Sequence, residues 1–339
     1  MVISSVQERT AAAAGAFSHV FGEGGAIGAR AKTEQCRVRQ RRSGGGRTLF
    51  LYTERQAICG PAGTQAGWIL LHLQKQRNTG TIDRERKEIR MYQNIVFDLY
   101  GTLADVRTAD DSPEVFRRLA KFYTFRGAAY RPGELRSAFC GYMDAQMRER
   151  TGLVYRPTGE TIAFPEIDVV PIFRRLFEDR GVAADDREAE LTANWYRITA
   201  TRRLHVYPGV FELFRAIKSC GKGIYLLSNA QRAYTAGELK TTGLESWFDG
   251  ILISSDFGCR KPDPIFFGEL KRQFGIDCGT SLMVGNDRSS DIAGAAAAGM
   301  DSVLLVTDKA LAAPAAGAES TYTIEDGDIR RIAQLPGVL

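Results

Sequence analysis

Beyond residue 90, four short stretches hold side chains that could do chemistry. Asp98 closes an apolar run in NIVFDLYGT and is followed by a Gly-Thr turn. A carboxylate so placed can act as a nucleophile if a cation shields it from the group it attacks. Ser228 and Asn229 end GIYLLSN and offer a hydroxyl and an amide suited to an oxyanion. Lys261, in RKPDP, precedes a Pro-started helix, where its ammonium can neutralise a nucleophile and a transferring phosphoryl group. Asp287 and Asp291, in GNDRSSD, are hard oxygen donors of the kind Mg²⁺ takes. Taken singly, each stretch has a plainer account as a turn, a solvated lysine or an acidic helix cap.

The elements that must position these groups give them their meaning. Short apolar runs over 92–98, 223–229, 249–255, 281–286 and 301–307 read as buried parallel strands. Amphipathic stretches over 209–220, 235–242 and 264–275 read as crossover helices. This is an α/β class, with a Rossmann-like parallel sheet and helices on both faces; ligands in such sheets bind at the carboxyl ends of the strands. Between Asp98 and Ser228 the chain is far longer than one crossover needs. Apolar positions three to four apart predict helices over 113–125, 134–150, 167–180 and 188–204. The expected organisation is a core of 91–109 and 208–339 with an inserted helical cap over 110–207, placed as a lid.

The order of an Asp nucleophile, a Ser, a Lys and an acidic pair, each beside a strand of one sheet, resembles the haloacid dehalogenase-like hydrolase superfamily with its first type of cap. The resemblance covers about residues 92–310. It implies that Asp98 attacks and forms a covalent aspartyl intermediate, that Thr102, Ser228 and Asn229 hold the transferring group, and that Lys261 stabilises Asp98. It also implies Mg²⁺ between Asp98, the backbone carbonyl of Tyr100 and the acids Asp287 and Asp291. The expected function is hydrolysis of a small phosphorylated metabolite by a Mg²⁺-dependent phosphatase.

Two residues depart from the family's phosphatase pattern. Tyr100 stands where a second Asp would serve as general acid, and losing a positioned acid typically costs about 10²- to 10⁴-fold in rate. The resemblance associates this DxYGT form with metal-free haloacid dehalogenases. Asn286 stands at the first acidic position of the last motif, with Asp287 beside it as a substitute charge. Against the dehalogenases, the step from Asn286 to Asp291 matches the Mg²⁺-dependent phosphatases, and Phe267 occupies a usual dehalogenase Tyr position. A 2-haloacid dehalogenase-type hydrolase and a catalytically weakened module, binding a phosphometabolite or another protein, are the alternatives.

Composition excludes little more. The 339 residues are 44% hydrophobic and 25% charged, which is ordinary for a globular chain. No apolar run approaches the ~20 residues of a transmembrane helix, so a cytoplasmic protein without membrane or nucleic-acid partners is expected. The basic excess is confined to residues 1–90, where 15 Lys and Arg face 7 acids. That segment has an Ala run, Gly-rich patches and no sustained period. A dinucleotide fingerprint, an Arg-rich arm for phosphates and a transit peptide are alternative readings of it; the preferred expectation is translated leader ahead of a true start at Met91. Six cysteines without CxxC spacing read as reduced thiols. His205 and Cys259 read as structural, and Arg126, Arg131 and Arg203 as parts of a solvated face.

Overall fold

A computed structural model describes residues 90–308 and 318–339. Expectations for residues 1–89 lie outside the described residues. In chain order the elements are β1 (Asn94–Phe97), β2 (Ala104–Thr108), α1 (Pro113–Phe125), α2 (Pro132–Arg150), β3 (Val154–Tyr155), β4 (Glu160–Thr161), α3 (Val169–Glu178), α4 (Asp186–Ala200), β5 (Thr201–Val206), α5 (Val210–Ser219), β6 (Gly223–Ser228), α6 (Arg232–Thr242), β7 (Gly250–Ile253), α7 (Pro264–Phe274), β8 (Ser281–Gly285), α8 (Ala293–Ala297), β9 (Asp301–Leu305) and β10 (Tyr322–Ile324).

Six strands form one parallel sheet in the order β10-β9-β8-β1-β6-β7. Period-two alternation divides β1 between two cores. Ile95 and Phe97 pack with Leu226, Val284, Phe214 and Ile217 on one face. Val96 packs with Leu227, Met283, Phe266 and Phe267 on the other. Both faces are covered, as a parallel sheet requires. Because β1 lies between β6 and β8, Asp98 leaves the sheet where the strand order reverses, the point at which open α/β sheets bind ligands.

Helices α1 to α4 bury their own apolar faces together. Ser112 caps α1 by accepting from Glu114 N–H, and Asp168 and Asp185 cap α3 and α4 in the same way. Phe116, Leu119, Tyr123, Phe139, Phe173, Phe177 and Tyr196 form the centre of this second cluster, which Tyr234 of α6 joins.

One local expectation needs correction. The helix expected through 204 stops at Ala200, and Thr201–Val206 pairs antiparallel with β2 as a ribbon; pairing with a distant strand overrides the helical period. Residues 151–166, between the expected helices, are not merely a connection. They carry the β3-β4 hairpin, whose flanking Tyr155 and Ile162 pack with α7 side chains on the sheet. A short strand, β10, was not anticipated.

The stretch after that hairpin is stitched to the loop carrying Lys261. Asp263 Oδ2 accepts from Ala163 N (2.8 Å) and Phe164 N (3.0 Å), while its Oδ1 caps α7 through Ile265 N (3.0 Å). Arg260 N donates to Phe164 O, and Glu166 N to Gly258 O. Asp263 is 1% exposed, so Asp263→Ala strands three amide protons. It is expected to cost about 2–4 kcal/mol, read as a fall in the urea midpoint, with Asp263→Asn costing less.

Candidate active site

Asp98 sits at the end of β1, 7% exposed. Behind it, Gly101 takes φ 85°, a left-handed conformation that lets DLYGT fold back sharply. The turn brings Thr102 under the carboxylate, its Oγ1 3.2 Å from Asp98 Oδ2 and 3.3 Å from Asn286 Oδ1. With one proton, the hydroxyl serves one of them at a time.

Lys261 is buried and every ammonium hydrogen has an acceptor. Nζ lies 2.7 Å from each of Asp98 Oδ1, Leu227 O and Asp291 Oδ1. Burial alone would lower its pKa, but the charges of Asp291 and Asp98 outweigh it and hold the ammonium protonated. Asp291 Oδ2 accepts from Asp287 N (3.0 Å). That approach depends on Gly285, where a Cβ would collide with the Asp291 carboxylate. Burial, and then the nearby charge of Asp98, push the Asp291 carboxyl above the usual range. Two buried carboxylates thus face one ammonium.

The structure brings Asp98, Thr102, Lys261, Asn286 and Asp291 into one hydrogen-bonded group and sets Ser228 at the end of the adjacent strand. Ser228 Oγ is fully buried and makes no hydrogen bond among the described residues. Buried hydroxyls are nearly always paired, which sets Ser228 apart from its neighbours. Two other residues are engaged differently from the expectation. Asn229 clasps the Lys261 peptide, its Oδ1 accepting from Lys261 N (2.8 Å) and its Nδ2 donating to Lys261 O (3.0 Å). This fixes the lysine and uses the amide oxygen and one of its two N–H donors. Asp287 Oδ1 accepts from Ser289 N and Oγ, capping the π turn Arg288–Ile292. Its carboxylate is therefore turned to its own helix start.

Tyr100 is held beside this group by residues sequence reading missed. Its hydroxyl donates to Glu238 and lies 3.0 Å from Thr235 Oγ1, both on α6. Glu238 in turn pairs with Arg197 of α4 at 2.6 Å, with both side chains buried. Burial first, and the Glu238 charge second, push the phenol far above its ordinary pKa. A phenol so placed is a poor acid. No spacing announces this trio, since Arg197 and Glu238 lie on separate helices joined only by the fold.

Beside Tyr100, a cavity of ≈ 70 Å³ opens between the strand ends and α2, α3 and α4. Glu166 lines it and is tied by Ser254 Oγ (2.9 Å) and Gln231 Nε2 (3.2 Å). Arg203 pairs with the buried Asp105 at 3.0 Å on the β2-β5 ribbon, where His205 also lies, while Arg126 pairs with Glu188. Cys259 is fully buried, and burial pushes its thiol up to about 12, which leaves it unreactive.

The donors around Asp98 can be tested against a divalent cation. An excess of buried carboxylate over ammonium favours one, and Asp98, the Tyr100 carbonyl and the Asn286 amide are oxygen donors of the type Mg²⁺ accepts alongside water. Among the described residues no cluster of three or more His, Cys, Asp or Glu side chains forms a cage. The set fits a partly hydrated Mg²⁺ and does not fit a zinc site.

The haloacid dehalogenase-like hydrolase family matches residues 92–299. Among curated proteins, the chain is 29% identical to the phosphoserine phosphatase of Thermus thermophilus over 161 residues, which is 48% of this chain and 62% of that one. It is 31% identical to a phosphoglycolate phosphatase of Vibrio vulnificus over 110 residues, 32% of this chain and 48% of that one. The chain spans about half the length of the curated relatives it matches. Among solved structures, the 2-haloacid dehalogenase of Pseudomonas syringae is 23% identical with a TM-score of 0.50, covering 73% of this chain and 98% of that one; that likeness concerns the fold. Among the described residues no helix is long and apolar enough to cross a membrane.

Proposed function

The chain belongs to the haloacid dehalogenase-like hydrolases, and on that premise we propose that it is a phosphohydrolase acting on a small phosphorylated metabolite through Asp98. One observation carries the reading. The Asp98 carboxylate is clamped by Lys261 and Thr102 at the central strand end, beside the unpartnered Ser228 hydroxyl. In this reading an Asp98 oxygen attacks phosphorus, the bond to the leaving oxygen breaks and its electron pair departs with that oxygen. Water then attacks the aspartyl phosphate, freeing phosphate and the carboxylate. Lys261 offsets charge on nucleophile and phosphoryl group, and Ser228 donates to a phosphoryl oxygen. Asn229 and Asp291 keep Lys261 in place. Asp98, the Tyr100 carbonyl and Asn286 would hold Mg²⁺, which when bound would supply positive charge that reduces repulsion between the two anions. Helices α1 to α4 are proposed as the cap that shelters the reaction from water.

The anchored Tyr100 has a kinetic consequence. With its proton committed to Glu238 and its pKa raised, the leaving group departs with little help. Aryl phosphates are therefore expected to show kcat/KM rising steeply as the leaving phenol becomes more acidic. Turnover of an activated aryl phosphate with Mg²⁺, its loss with chelator, and its return on adding Mg²⁺ are the results expected. Tyr100 keeps one competing reading in play, because halide leaves without a proton. Chloride release from a 2-haloacid in chelator, with aryl phosphate untouched, would favour that reading and reject this one.

A further inference from the structure

We propose that Glu238 and Arg197 are positioning residues, a buried ion pair that orients Tyr100 and through it the peptide beside the nucleophile; this rests on the phosphohydrolase reading above. The hydrogen bonds that close the turn after Asp98 run on either side of Tyr100. Gly101 N donates to Ala104 O (2.8 Å), while Leu103 N and Ala104 N donate to Leu99 O (2.8 and 2.9 Å). The Tyr100 N–H and C=O make no hydrogen bond among the described residues. That residue keeps two soft backbone dihedrals, and what holds them beyond the flanking bonds is the side chain, which is anchored at its tip.

The Tyr100 hydroxyl donates to Glu238 and lies 3.0 Å from Thr235 Oγ1, two residues that share one face of α6. Glu238 is itself fixed from α4. Arg197 Nε donates to its Oε1 (2.6 Å) and Nη2 to its Oε2 (3.5 Å), with the guanidinium carbon 5.7 Å from the Tyr100 ring centroid. Asp110 Oδ2 stands 3.9 Å from the remaining guanidinium nitrogen. Glu238 and Arg197 are only 8% and 6% exposed. A buried ion pair adds little net stability over a well-packed apolar pair, so its contribution here is read as geometric. The carbonyl it orients is one of the three oxygens proposed above for Mg²⁺, which makes Glu238 and Arg197 outer supports of that set. The pair also joins α4, a helix of the proposed cap, to the turn that carries the nucleophile.

The test measures Mg²⁺ binding by the substrate-free protein, from the rise in melting temperature with Mg²⁺ concentration, beside kcat and KM on aryl phosphates. Glu238→Gln keeps the size of the side chain and an acceptor for Arg197. Tyr100→Phe keeps the ring and removes only its anchor. Each is expected to weaken Mg²⁺ binding about tenfold and to lower kcat by a similar factor, with KM for the aryl phosphate within about twofold. The double variant should lose no more than either single one, because both changes break the same link. The loss in kcat should be equal for esters of strongly and weakly acidic phenols, since Tyr100 acts on the turn and not on the leaving oxygen. A lower melting temperature with Mg²⁺ affinity and kcat still within about twofold of wild type would leave the pair a structural role only and overturn the proposal. Losses that multiply in the double variant would overturn it as well. A wild type without turnover that depends on both Mg²⁺ and Asp98 is a different result, one that removes the phosphohydrolase reading and this inference together.

Discussion

Asp98→Asn is expected to abolish turnover, by on the order of 10⁴- to 10⁶-fold, while leaving the fold intact. The amide keeps the size of the carboxylate and one oxygen for Lys261 or Thr102, so the hydrogen-bonded group at the strand end survives. What it loses is the nucleophile's charge and lone pair. A circular dichroism spectrum and melting curve close to wild type, beside absent product, would be the matching pair of results. Retained activity within about tenfold would remove Asp98 from the chemistry.

Lys261→Met has the second largest expected effect, because it acts on chemistry and stability together. The ammonium is the only cation in contact with Asp98 and Asp291 among the described residues. Its loss should lower turnover by about 10³-fold through unshielded charge on the nucleophile and the phosphoryl group. It also leaves two buried carboxylates facing one another, at a cost of about 3–5 kcal/mol. The pH dependence has a definite sign. Asp291 is already raised above its unfolded value by burial and by Asp98, and removing Lys261 raises it further. The folded variant then binds more protons than the unfolded chain, so its stability grows as pH falls toward the ordinary carboxylate range and declines as pH rises. Urea unfolding at about pH 8 and about pH 5 reads this directly. Adding Asp291→Asn to the variant should restore much of the stability at high pH and none of the activity. A variant equally stable at both pH values would contradict the electrostatic account.

The chemistry-bearing strand ends were legible because each is local. An apolar run closed by Asp98, by Ser228 or by Asn286 announces both a buried strand and the polar group it delivers. Helix α1 was bounded correctly at Pro113 and Phe125 because Ser112 and Pro113 mark its start and its apolar period is clean. The C-terminal limit of α4 was not. The period runs on into TRRL, and only the pairing of β5 with β2, nearly a hundred residues away, turns those residues into a strand.

The same division runs through the site. That Lys261 reaches Asp98 follows from motif order, whereas its clasp by Asn229 depends on how two loops meet. Asp287 illustrates the limit from the other side. Its sequence position suits a metal ligand and a helix cap equally, and its Oδ1 serves as the cap through Ser289. Tyr100, Glu238 and Arg197 come from three elements, so the fate of the missing general acid was set by packing that no spacing encodes. RKPDP announced a Pro-started helix, but neither use of Asp263, capping that helix or holding Ala163 and Phe164 against the Lys261 loop, was legible.

The central claim is a covalent phosphoryl group on Asp98, and rapid acid quenching followed by peptide mass spectrometry tests it most directly. The full chain is mixed with an activated aryl phosphate and Mg²⁺, quenched within the first turnovers and digested. The account predicts one added phosphoryl group on the peptide containing Asp98, removed by hydroxylamine and absent from Asp98→Asn. Sustained turnover with no adduct on that peptide, or an adduct on another residue, would contradict it.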